Sequence, residues 1–87
     1  MQLLLAAHRD RLGVRTLVVV NDDGQVLASA GDDPESVASA IVADVAEVPG
    51  TTLATWRLRA GGDQVIIGSW GGKLSYEVGD GVQRILG

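Results

Sequence analysis

Few side chains in this 87-residue sequence could do chemistry. Two pairs of adjacent carboxylates, Asp22-Asp23 and Asp32-Asp33, could serve as acid–base groups or hold a divalent cation. Local structure already explains each pair. Asp22-Asp23 lies inside Asn21-Asp22-Asp23-Gly24, a turn signal in which Asn and Asp bond their own backbone and Gly24 takes positive φ. Asp33 precedes Pro34 and Glu35, which is the pattern of an N-cap, a first-turn proline and a dipole-matched acid. The spacing lacks the ligand count of a calcium loop. His8 is the single histidine and there is no cysteine, so no His/Cys ligand set and no His-paired thiol nucleophile can form. We read His8 as a helix-surface or boundary residue. The glycines are scattered among turns and make no phosphate cradle. Trp56 and Trp70 could stack bases, but the net charge of −4 and pI near 4.6 give no general basic face. One core tryptophan and one partly covered surface tryptophan fit an acidic chain better. The expectation is therefore no catalytic residue, no cofactor, no metal, and neither nucleic acid nor membrane as partner.

The composition is 46% hydrophobic but only 3% aromatic, so aliphatic packing must dominate. The length suits one domain over residues 1–87. Met1-Gln2-Leu3-Leu4-Leu5 lacks the basic start and long apolar run of a signal peptide, and no run approaches a membrane span. A cytoplasmic protein is expected.

The elements that would position any site follow from pattern. Residues 2–12 read as a short helix, with Arg9 and Arg11 in its last turn and Gly13 as its stop. Leu17-Val18-Val19-Val20 shows no polar alternation and predicts a central strand buried on both faces. Val26-Leu27-Ala28 is its hairpin partner. A helix is predicted over about 34–47, ended by Pro49-Gly50. Its apolar set is wider than the stripe one sheet requires and includes Val37, Ile41, Val45 and Ala46. Two readings fit: a fully buried core helix, or a helix packed on its own sheet and on a second copy. Residues 52–60 alternate cleanly, and 64–70 form the next strand. Gly71-Gly72 fits a two-residue hairpin loop leading to a further strand over 73–78, leaving 82–86 as a stub. That hairpin places Val65, Ile67, Leu74, Tyr76 and Val78 with Ala54, Trp56 and Leu58 under the second helix. It leaves Thr55, Arg57, Arg59, Ile66, Trp70 and Lys73 on a partly open face. The order is α-β-β-α-β-β-β, an α+β layer with one antiparallel sheet and a helix on each face.

On Gly13-Val14-Arg15, the strand 17–20, the turn 21–24 and Gln25-Val26-Leu27-Ala28-Ser29, the chain resembles the roadblock/dynein light chain family, which is longin-like. The small-residue helix and the strand meander follow in the family's order, over nearly the whole chain. Family members usually carry a third helix, so the chain looks like a minimal form lacking it. The resemblance implies a five-stranded sheet of order 2-1-5-4-3 and dimers built by the third strand and second helix. It also implies scaffold roles and regulation of Ras-like small GTPases, bacterial activators of a GTPase among them.

The expected function is thus a non-enzymatic homodimeric scaffold or regulator whose partners are a second copy and a Ras-like small GTPase or other protein. The dimer contacts would be Val37, Ile41, Val45, Ala54, Thr55, Trp56 and Leu58. The partner face would carry Arg57, Arg59, Ile66, Trp70 and Lys73, with Trp and Arg as the usual anchor types. The alternative is a small-ligand-sensing module of profilin or sensory-domain type, which needs a pocket inside the layer. If the carboxylate pairs are structural, the purified protein alone hydrolyses no nucleotide. Hydrolysis lost on Asp22→Asn or Asp33→Asn would overturn that expectation.

Overall fold

The structure, a computed structural model, describes residues 1–45, 47–48 and 50–87. The elements are α1 (Gln2–Leu12), β1 (Thr16–Asn21), β2 (Val26–Gly31), α2 (Pro34–Val42), β3 (Thr51–Ala60), β4 (Asp63–Trp70) and α3 (Tyr76–Leu86). The four long strands form an antiparallel sheet in the order β2-β1-β4-β3. A two-residue strand, Glu47–Val48, pairs with Thr51 and Thr52 beyond β3.

β1 is central, as its unbroken apolar run requires, and its first five residues are all buried. Val18 pairs with Gly68 and Val19 with Ile67 of β4, so alternate residues feed two cores. Leu5, Leu17, Val19, Val65, Ile67, Val78 and Val82 fill the layer under α1 and α3. Val18, Val20, Val37, Ile41, Leu53, Ile66 and Trp70 fill the layer under α2. The turn after β1 forms as its residues dictate. Asn21 Oδ1 accepts the Asp23 and Gln25 amides at 3.0 and 2.9 Å, and Gly24 has φ +81°.

Three expectations are corrected. Residues 73–78 are not a fifth long strand: β4 leaves the sheet at Trp70, and Tyr76–Leu86 is a helix. Neither the α-β-β-α-β-β-β order nor the five-strand sheet built on that strand holds, and this is not a form without a third helix. The reason is a competition of periods. Leu74, Tyr76 and Val78 alternate like a strand, but Val78, Val82 and Leu86 recur every four residues and form the inner face of α3, the first two fully buried. Gly79 and Gly81 disguised that helix as a loop. Both are packing glycines. A Cβ at Gly79 would lie 3.1 Å from the Trp56 ring, and one at Gly81 would lie 2.7 Å from Leu4.

The second correction concerns faces. With no 70–73 hairpin, Trp56, Leu58, Val65 and Ile67 lie under α1 and α3, while α2 covers Ile66, Gly68 and Trp70. Gly68 makes the seat: a Cβ there would meet Ile41 Cδ1 at 2.5 Å and Val37 Cγ1 at 3.2 Å.

The third concerns length. α2 ends at Val42, not near 47. The Asp44 amide donates to the Ile41 carbonyl and the Val45 amide to the Ala40 carbonyl, both at 3.1 Å, with Asp44 at φ +56°. That is a Schellman stop with aspartate in the left-handed position usually held by glycine. Ala46 and Pro49, expected in the apolar set and as the stop, lie outside the described residues. At the other end Asp33 is the N-cap residue, but it has φ +49° and its carboxylate accepts from Ser36 Oγ at 2.7 Å rather than from a backbone amide.

Because Val37 is branched at Cβ and stiff, the Gly68 seat has little room to yield. Gly68→Val should lower unfolding stability by about 1–3 kcal/mol, read as a lower urea midpoint with unchanged slope.

Candidate functional site

β3 is ten residues long and pairs with β4 from Leu53 to Ala60; at its start, Thr51 and Thr52 pair instead with Val48 and Glu47. From Leu53 to Leu58 its outer backbone edge is unpaired among the described residues, and beyond that the Arg59 carbonyl accepts from Gln83 Nε2 of α3 at 3.1 Å. Each face of that edge carries a recess. On the α2 side, Ile41, Asp44, Val45, Leu53, Thr55 and Arg57 surround about 170 Å³. On the α3 side, Trp56, Leu74, Ser75 and Tyr76 border a shallow recess of about 390 Å³. Trp56 and Tyr76 meet edge to face, with centroids 5.0 Å apart at 84°, and Tyr76 is 79% exposed. Sequence reading missed this aromatic corner because it placed Tyr76 in a strand under α2. The signal that could have found it is the Val78/Val82/Leu86 spacing, which sets Tyr76 at a helix start.

The residues expected on one partner face do not gather into one patch. Arg57 and Arg59 are exposed along β3, and Lys73 is exposed beyond the Gly71-Gly72 bend. Ile66 and Trp70 are buried. Trp70 lies opposite Leu53 and Ile66 opposite Arg57, four residues apart and about 13 Å along the strand. Trp70 is closed off by Arg15, whose guanidinium stacks 3.7 Å from the ring centroid while Nε lies 3.8 Å from Asp32 Oδ2. Of the expected dimer contacts, Val37 and Ile41 are buried against the chain's own sheet. Ala54, Trp56 and Leu58 are half-buried on the α1/α3 side, and Val45 and Thr55 are exposed.

Of the candidate acid–base groups, Asp33 accepts from Ser36 Oγ and Asp32 faces Arg15, both exposed at the chain surface. Among the described residues no three of His, Cys, Asp and Glu come together as a metal set. His8 is buried in α1 rather than at its surface. No helix is long and apolar enough to cross a membrane.

No family model and no curated protein matches the chain. Among solved structures, MglB of Myxococcus xanthus matches with a TM-score of 0.59 and 17% identity, over 97% of this chain and 85% of that one. The fold is the roadblock, longin-like one. At this identity the likeness is one of fold. The resemblance read in the sequence holds at that level, with the third helix added.

The Arg15–Trp70 stack makes a prediction of its own. Arg15→Ala should cost about 0.5–1 kcal/mol of stability and open Trp70 to solvent, seen as stronger quenching of its fluorescence by acrylamide.

Proposed function

We propose that this chain is a non-enzymatic, dimeric regulatory domain that engages a Ras-like small GTPase, working in the cytoplasm. The observation that carries this reading is the long open edge of β3, flanked by two recesses, on a fold shared with MglB, a regulator of a small GTPase. An uncovered edge of that length invites uncontrolled pairing, and joining it to its own copy removes the hazard. The ligand-sensing alternative needs a cavity between helix and sheet, where Val37 and Ile41 instead pack over Gly68.

In a two-fold antiparallel pair, residues equidistant from the axis oppose each other. An axis at Arg57 or Leu58 sets arginine against arginine, which is unfavourable. An axis at Thr55 sets Arg57 against Leu53, and one at Trp56 sets it against Thr55. Either keeps the charges apart. Because Val37 and Ile41 are turned inward, the contact with the second copy falls to Val45, which is exposed just past the end of α2 beside the β3 edge. Arg57, Arg59 and Lys73 then face outward as sites for an acidic surface of the GTPase.

The protein should scatter light as a dimer at micromolar concentration, and Val45→Asp with Thr55→Asp should leave a folded monomer. A wild-type monomer would overturn the dimer. Calorimetry against the cell's Ras-like GTPases, loaded with either nucleotide, should show binding that prefers one state and weakens about tenfold in Arg57→Glu/Arg59→Glu. No binding in either state would overturn the regulatory reading.

A further inference from the structure

The opposite edge of the sheet has the opposite chemistry. Among the described residues β2 pairs with β1 alone, so its other side is a second unpaired edge. Its pairing is irregular: Val19 pairs with Ala28 but Val20 with Val26, so Leu27 is an extra, unpaired residue. This bulge re-aims a side chain. Ala28 packs toward the α1/α3 core, and strict alternation would send Val26 the same way. The extra residue instead places Val26 beside Val20, on the α2 side. There Gly24 and Val26 of the hairpin, with Glu35, Ala38, Ser39 and Val42 of α2, line a mostly apolar groove of about 380 Å³. Val42 is 66% exposed at its wall, and its methyl would meet a Cβ at Gly24 at 2.6 Å. Beyond the bulge, Ala28 to Gly31 pair regularly with β1, so a short regular edge runs beside the groove.

The rim is acidic. Asp22, Asp23, Asp32, Asp33 and Glu35 are all exposed around this edge. Between Arg15 and Arg57 the chain contains no lysine or arginine. Of those five carboxylates Asp32 alone has an ion-pair partner among the described residues, in Arg15.

We propose that the β2 edge and the adjoining groove bind a short extended segment of a partner protein in which aliphatic residues alternate with lysine or arginine. Strand addition supplies the backbone bonds, alternate aliphatic side chains enter the groove beside Val26 and Val42, and the cations meet the carboxylate rim. A second copy fits this edge less well. Its own rigid β3 edge would have to cross the Leu27 bulge, whereas a flexible segment need follow only Ala28 to Gly31. The inference does not depend on the β3 dimer or on the GTPase.

The test uses a labelled peptide of about eight residues alternating valine and lysine, with a valine–glutamate peptide as control. Anisotropy should show saturable binding of the first at low salt and at least tenfold weaker binding of the second. Asp22→Lys/Glu35→Lys should weaken the lysine peptide about fivefold or more. Amide NMR shifts should centre on residues 26–31 and 35–42. The proposal is overturned by equal binding of the two peptides, by no binding of either, or by shifts confined to β3 and α3. It is also overturned if the protein forms open-ended oligomers through this edge that Arg57→Glu abolishes, since a second copy would then be the occupant.

Discussion

The fold rests on one constraint: Leu17 to Val20 must leave water on both faces at once. A single helix can cover one face of a strand, so the chain has to supply cover twice. α2 packs on Val18 and Val20, and α1 with α3 packs on Leu17 and Val19. Fully burying each of these side chains is worth about 1.5–3 kcal/mol, more than the roughly 0–1 kcal/mol typical of exposed ion pairs such as Arg11–Glu77. The β4 partner follows suit, with Ile67 turned to one core and Ile66 to the other. Covering the centre leaves the two outer strands less protected. The two unpaired edges and the recesses described beside them follow from placing the apolar residues in the middle.

Much of this was legible because it is local. The double-sided strand, the Asn21–Gly24 turn, the Gly13 stop and the Pro34 start each depend on neighbours within a few residues, and each formed. The failures came where the deciding contact is distant. Gly79 and Gly81 read as chain breakers until Trp56 and Leu4 occupy the space their side chains would fill. Once residues 73–78 were taken as a strand, the hairpin parity put the wrong face of β3 and β4 under α2. The true parity is fixed by Gly68, whose missing side chain is a seat for Ile41 and Val37. The early end of α2 was hidden for a related reason. Apolar residues continue past Val42, and an aspartate rather than a glycine takes the left-handed position. The candidate surfaces inherited these errors. Arg57 and Arg59 are exposed along β3, whereas Trp70 is buried with Arg15 over its ring.

Charge then distinguishes the two edges. Arg57 and Arg59 line β3, while carboxylates surround β2. Opposite signs on opposite edges of one sheet favour a head-to-tail contact between copies, and such a contact does not close on itself. Left unchecked it would produce fibres. The Leu27 bulge is the element that opposes this. It interrupts the regular edge of β2 at the point where a ten-residue strand would need to continue, yet leaves the stretch from Ala28 to Gly31 intact. The same residue that turns Val26 into the groove thus limits what can pair beside it to something short. On β3 no bulge intervenes in the pairing with β4, so the proposed pair with a second copy would meet a regular strand, with the arginines kept out of register. In the two proposals, one edge serves length and symmetry and the other brevity and charge.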